Sequence, residues 1–294
     1  MPPTRAPWRA PFLEHLSLTA SPTFTLATLH PAATPPPSTS PSTTAPPPPP
    51  LLPRARTCVF RGLWASDSFL STNTRNPAPR NPPGWYESDL PVFTTDVRSG
   101  KLTTPTTTTG GGGVVEAVFW VDHPRARTQW RVRGRAWVLA GDVDGEGEGS
   151  RMVRGVLEGR MRRLGGLEGK GEEEEGSGRE TAGWSFAREV TAHFGNLSPL
   201  MRGSFRAPPP GTPLAAYHAG EGEELGQRVD DLEDEAARRD FRVVVIVPEE
   251  VDQVDLRDEL HARRWLYVYR GLDGVSKLPG GEIIGEWEKV EVWP

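Results

Sequence analysis

Residues 129–139 alternate in chemistry: Gln129, Arg131, Arg133 and Arg135 fall on one parity, and Trp130, Val132, Gly134 and Ala136 on the other. Successive side chains of a strand point to opposite faces, so the stretch predicts a strand with one face toward a core and one toward water or a ligand. Such a strand needs neighbours that bury the same side. Residues 114–121 supply the first, and the pair reads as a β-hairpin around residues 122–128.

Proline and glycine limit how far that sheet extends. They number 31 and 32 in a chain of 294 residues, and they are clustered. Residues 31–53 are almost wholly Pro, Thr, Ser and Ala, a composition that cannot pack a core and reads as a polyproline-rich spacer. Residues 103–113 form a second low-complexity insertion. Residues 144–178 form a third, rich in Gly and Glu apart from an amphipathic middle, and the acidic run from Glu172 to Glu175 reads as solvated loop. About 200 residues remain, enough to bury one proper core, so residues 1–294 are expected to form a single domain carrying these insertions.

Other segments fit around the hairpin. Residues 24–29 and 57–63 read as strands paired across the Pro-rich spacer, since closing a long loop costs little more than closing a short one. Residues 91–95 and 241–247 add strands, the latter the clearest in the chain, and 265–269 and 287–293 close it. Residues 8–18, 151–164, 184–194 and 225–239 read as helices, with Gly195-Asn196 as a stop. About seven strands with a few peripheral helices predict a mainly β fold, a small β-barrel with helices at its edges.

Composition excludes several functions. A net charge of −5 argues against a generic nucleic-acid binder. An RNA-binding barrel using Trp130, Arg131 and Arg133 conflicts with that charge and lacks stacking aromatics on the cationic face. Cys58 is the only cysteine, which rules out an internal disulfide and favours a reducing compartment. No apolar run reaches the length of a membrane span, and residues 2–12 lack the apolar centre of a signal peptide. A cytoplasmic location is therefore expected. The six histidines are scattered away from metal-ligand spacing, so no metal is expected. Residues 110–113 are a glycine run without the strand-to-helix setting of a dinucleotide site, and no nucleophile elbow occurs. His193 reads as a packed or capping histidine, and Glu249-Glu250 as exposed carboxylates after a strand end.

Three segments carry the functional signal: Arg56-Thr57-Cys58-Val59-Phe60-Arg61, residues 93–101 (Phe-Thr-Thr-Asp-Val-Arg-Ser-Gly-Lys), and Gln129-Trp130-Arg131-Val132-Arg133-Gly134. Each joins an extended run to cations, hydroxyls or amides, a combination suited to a small anion held against a sheet. Arg56 and Arg61 are five apart, so a regular strand points them to opposite faces, and one phosphate can meet both only across a bulge or a strand end.

The order of these segments resembles the pyridoxamine 5′-phosphate oxidase-like FMN-binding family. The first resembles its strand of a basic residue, four mostly apolar residues and a second basic residue. Thr95 followed by Ser99 and Lys101 is similar to its second signature, and Gln129 followed by Gly134 to its third. Arg264-Trp265-Leu266-Tyr267 looks like its terminal motif. The likeness is nearest the fungal and cyanobacterial-type branch, not the vitamin B6 enzyme.

The resemblance implies an FMN-binding split β-barrel, dimeric, with each flavin at the subunit interface. Its implied cofactor contacts are Arg56, Thr57, Cys58, Val59, Arg61, Thr94, Thr95, Arg98, Ser99, Lys101, Gln129 and Arg264. Arg56 would serve the ribityl-phosphate end, Arg61 would lie nearer the ring, Gln129 would contact the ring, and Arg264 would act from the partner. Arg202 and Ser204 are further candidates. Two departures bear on activity. The family's Gly-Ser-Arg-Lys stands here as Arg98-Ser99-Gly100-Lys101, and the B6 enzyme's Arg-x-His has no counterpart, His261 being at a different spacing from Arg264. The expectation is a flavin-dependent oxidoreductase with an unidentified small-molecule substrate and no identified catalytic residue; the alternative is a non-catalytic FMN-binding or sensing module.

Overall fold

The computed structural model describes residues 3–32, 50–66, 73, 75–100, 112–164, 183–216, 220, 223–272 and 274–294. Lys101, most of the insertion at 103–113, the acidic run and most of the Pro-rich spacer lie outside them.

Helix α1 (Arg9–Ser17) precedes strands β1 (Thr23–Pro31), β2 (Leu51–Val59), β3 (Tyr86–Ser88), β4 (Val92–Asp96), β5 (Gly113–His123) and β6 (Ala126–Leu139). Then come α2 (Glu148–Glu158), β7 (Met161–Arg163), α3 (Phe186–Gly195), α4 (Pro199–Gly203) and α5 (Glu235–Asp240). Strands β8 (Phe241–Asp255), β9 (Arg263–Tyr269), β10 (Glu282–Ile284) and β11 (Trp287–Val292) end the chain.

Among the described residues nine strands form one antiparallel sheet, ordered β10-β11-β9-β8-β6-β5-β1-β2, with β4 on β8 as well. Strand β8 organises it. One edge pairs with β6 from Val243↔Leu139 to Asp255↔Thr128. The other edge is shared: β4 takes Phe241 to Val245, and β9 takes Glu250 to Asp255. Pro248 sits mid-strand, tolerated because the β6–β8 register shifts between Arg133 and Gly134 there and needs no ladder N–H from it. Gly134 is required at the bulge, since a Cβ there would stand 2.1 Å from the Val247 carbonyl oxygen.

Both faces of the sheet carry cores. On one, Phe12 of α1 packs edge-to-face on Phe60, Phe119 and Trp130 at 5.9, 5.0 and 5.5 Å. On the other, α2 and α3 bring Leu157, Val190 and Phe194 against Phe241, Val243 and Val245. This explains the unbroken apolar run at the start of β8, which is covered on both sides. Strands β3 and β7 form a small separate sheet, anchored where Arg162 donates to Asp89 at 2.6 and 2.8 Å.

Several expectations change. Among the described residues the strands number eleven, and the sheet is a large open one whose order does not close into a barrel. The second strand begins at Leu51 inside the supposed spacer and stops at Val59, short of Arg61 and Leu63. The hairpin turn shrinks to Pro124-Arg125, between the paired His123 and Ala126. Residues 148–163 of the third insertion are structured as α2 and β7. The helix expected over 225–239 is only α5, begun by the Asp234 side chain accepting from the Ala237 N–H; Gly226 upstream has φ +88°, outside helical space. Strand β8 runs eight residues past Val247, so Glu249 and Glu250 lie within it and pair with Arg135 (3.1 Å) and Arg133 (2.9 Å).

Candidate functional site: the outer face of the sheet

The alternation in β6 holds: Trp130, Val132, Gly134 and Ala136 are buried, while Arg133 and Arg135 are exposed and Gln129 and Arg131 half-buried. Residues directly opposite in antiparallel strands share a face. Trp120 of β5 lies opposite Gln129, Gln129 opposite Val254 of β8, and Val254 opposite Arg264 of β9. Gln129 and Arg264, 135 positions apart in sequence, thus meet in one row.

In the adjoining row, Asp252 is 5% exposed and lies opposite Arg131. Arg264 donates to it at 3.1 and 2.8 Å, and Arg131 also donates to it. The bonded carboxylate raises the Arg264 pKa, so its charge is fixed and its direction set. Trp120, 47% exposed beside Gln129, has no counterpart in the sequence reading. Its parity with Val114 and Val118 in β5 was the signal available.

The first segment divides by face. Thr57 and Val59 are exposed, and Thr57 joins Thr25, Val118 and Arg131 in a row, about 14 Å across three strand steps. Arg56 and Cys58 point the other way. Arg56 lies opposite buried Leu26 and donates to Thr28 Oγ1 at 2.6 Å, and Cys58 is buried in the inner core. Arg61 stands past the strand end, so the regular-strand constraint on the two arginines does not apply to it. Its N–H bonds the Val92 carbonyl at 2.8 Å. Its Nε is buried without a hydrogen-bond partner among the described residues, it makes no ion pair among them, and burial lowers its pKa. A buried guanidinium with an unpaired Nε among the described residues is a donor fitted to an anionic group.

In the second segment Thr94 and Thr95 lie opposite Val243 and Arg242. Thr95 and Ser99 are buried with their hydroxyls 3.0 Å apart. Arg98 is engaged: it bonds Asp96 at 2.6 and 3.0 Å, the Phe205 carbonyl at 3.0 Å, and pairs with Asp240 at 3.3 Å. Arg202 is likewise used internally, donating to the carbonyls of Val229, Gly195 and Leu197, and the Ser204 hydroxyl donates to the Met201 carbonyl at 2.7 Å. His193 is packed, as expected: it stacks on Trp64 at 6.1 Å, and burial, with Arg61 nearby, lowers its pKa to about 3.

Apart from Arg56 and Cys58, which face the inner side of β2, the described candidates fall in two places. Thr94 lies opposite Val243 and Gln129 opposite Val254, eleven residues apart on β8, or about 36 Å along a straight strand. A hollow of about 190 Å³ between Leu29, Pro53, Val114 and Arg133 lies on the same face, two rows along from Gln129. It is smaller than the ~300–1,000 Å³ of ordinary ligand pockets.

Residues 5–140 match the family described as pyridoxamine 5′-phosphate oxidase, FMN-binding domain. The matched region ends one residue past β6, so it contains the first two segments and Gln129 but not Arg264. The match covers fewer than half of the 294 residues, so it is a resemblance of this region to that family, whose domain is described as FMN-binding. A pyridoxamine 5′-phosphate oxidase-related, FMN-binding protein from Nostoc punctiforme PCC 73102 is similar in structure, with TM-score 0.55 and 19% identity, over 99% of this chain and 100% of that one. At that identity the likeness concerns the fold. PhzG from Burkholderia lata 383, in complex with tetrahydrophenazine-1-carboxylic acid, matches at TM-score 0.40 and 13% identity, over 97% and 88% of the two chains. No curated protein matches.

Proposed function

We propose that the protein is an FMN-dependent oxidoreductase acting as a homodimer, with the cofactor held where the outer face of one subunit meets the first two segments of the other. The observation that supports this reading is the interval on β8: the partners of Thr94 and Gln129 are eleven residues apart, longer as a straight strand than one flavin. Exposed Trp120, Val114 and Leu29, at 47, 49 and 38%, give the outer face an apolar surface suited to a second subunit.

In this assembly Arg61 supplies a buried positive charge for the phosphate or the reduced ring, together with Ser99 and Lys101. Thr57 and Val59 offer an exposed strand surface. Gln129 bonds the polar edge of the ring, Trp120 excludes water beside it, and Asp252 fixes Arg264 in place. Bound FMN supplies the electron-carrying chemistry, and the protein supplies binding, orientation and electrostatics. The split-barrel form of the fold is part of the proposal. It is supported by the segment after β2, where Leu63 bridges Pro91 and the Trp64 N–H bonds the Leu90 carbonyl at 2.9 Å, linking the β2 end of the sheet toward β4. A cytoplasmic location is proposed on the single cysteine of the chain, buried Cys58, which leaves no internal disulfide to form; no described helix is long and apolar enough to cross a membrane.

Purification tests the reading. The protein should be yellow, elute as a dimer, and be reduced by NADPH without oxygen. A colourless protein that takes up no added FMN overturns it. A flavin that no pyridine nucleotide reduces points instead to the binding or sensing module.

A further inference from the structure

A cleft of about 510 Å³ lies on the opposite side of the sheet from the Gln129 row, between α1 and the inner faces of β8, β9 and β11. Lys289, Tyr267 and Val251 share that inner face, as do Trp265 and Gln253, by their direct pairing. The volume falls within the usual range for small-molecule sites.

Its lining holds more cations than carboxylates. Arg125 and Lys289 line the cleft and make no ion pair among the described residues. Arg257 and Arg263 line it too, each steadied by one carboxylate: Arg257 by Asp255 at 2.6 Å, Arg263 by Glu291 at 2.8 Å. Against these four cations the lining contributes two carboxylates, Glu14 and Asp255.

Two neutral donors sit deeper. Gln253 is 6% exposed and its Oε1 accepts the Tyr267 hydroxyl at 3.2 Å, which leaves its amide N–H groups without a partner among the described residues. His15 Nδ1 accepts from the Trp130 indole at 3.1 Å, so the neutral ring carries its proton on Nε2. Burial lowers the His15 pKa, which keeps that tautomer at neutral pH. The aromatic walls are already faced by cations, Arg263 at 4.6 Å over Trp265 and Lys289 at 5.9 Å over Tyr267. That favours an acceptor-rich guest over a cationic one.

We propose that this cleft binds a small organic anion of the phosphate-monoester class, gripped by Lys289 and Arg125 at the rim and by the Gln253 amide and His15 Nε2–H within. The site stands apart from the flavin reading and does not depend on it.

The test is calorimetric titration of the purified protein, with whatever flavin it carries, at low ionic strength. The probes are phenyl phosphate, inorganic phosphate and benzyl alcohol. Phenyl phosphate should bind with a Kd of about 1 mM or tighter and benzyl alcohol should give no heat. The Lys289→Ala/Arg125→Ala variant should weaken phenyl phosphate about tenfold or more, with flavin content and melting temperature unchanged. Gln253→Leu should weaken it separately. Equal affinity for inorganic phosphate would assign the site to free phosphate; weaker affinity would assign it to the ester. Absence of binding, binding unchanged in both variants, or binding lost instead on Arg61→Ala overturns the proposal.

Discussion

Arg264 reaches across from β9 to place two nitrogens on the carboxylate of Asp252, at 3.1 and 2.8 Å, while Arg131 approaches the same carboxylate from β6. One buried anion therefore holds two strands' arginines on the outer face. Asp252→Ala leaves both cations facing each other. The expected loss is about 1–3 kcal/mol, tempered because the arginines are partly exposed, and urea denaturation measures it. On the proposed function flavin retention falls too, whereas Glu250→Ala, whose partner Arg133 is exposed, costs under about 1 kcal/mol and retains flavin.

Arg61 and Arg98 are expected to differ sharply. Arg61→Ala removes a buried guanidinium that makes no ion pair among the described residues and should weaken FMN binding about tenfold or more, followed by quenching of flavin fluorescence. Arg98→Ala should change FMN affinity less than about threefold and lower the melting temperature, because its guanidinium already holds Asp96, Asp240 and the Phe205 carbonyl.

His193 gives a pH signature. Its pKa falls from the ordinary 6.5 to about 3 in the folded state, so between those values the unfolded chain binds the extra proton. Stability then drops as pH falls from 6.5 toward 3, by up to about 1.4 kcal/mol per unit, and is unaffected by this group above 6.5. His193→Phe keeps the stack on Trp64 and removes the titration. The wild-type-minus-variant stability, from denaturation at pH 7, 6 and 5, should rise as pH rises, and a pH-independent difference would refute the assignment.

Gly134→Ala places a methyl 2.1 Å from the Val247 carbonyl oxygen, backbone that has no rotamer to yield. The expected cost is about 1–3 kcal/mol or more, read as a fall in melting temperature. Gly149→Ala, on α2 with open space around it, should instead be neutral or stabilising.

Much of this was legible in the chain because the signals were local. The alternation from Gln129 to Ala136 gave the buried and open faces of β6 directly, and the hairpin with β5 followed. Strand β8 beyond Pro248 was not legible, because a proline reads as a strand end until the bulge opposite Gly134 is known. The engagement of Arg98 was equally hidden: Asp96 is its sequence neighbour, but Asp240 and Phe205 are brought to it only by the fold. The row of Trp120, Gln129 and Arg264 rests on register across four strands, which no single segment encodes.

The eleven-residue interval on β8 between the partners of Thr94 and Gln129 has a thermodynamic consequence on the proposed reading. If the cofactor bridges two chains, its occupancy and subunit association share one equilibrium, and each stabilises the other by mass action. Dilution alone would then release flavin, and added flavin would lower the concentration at which the subunits pair.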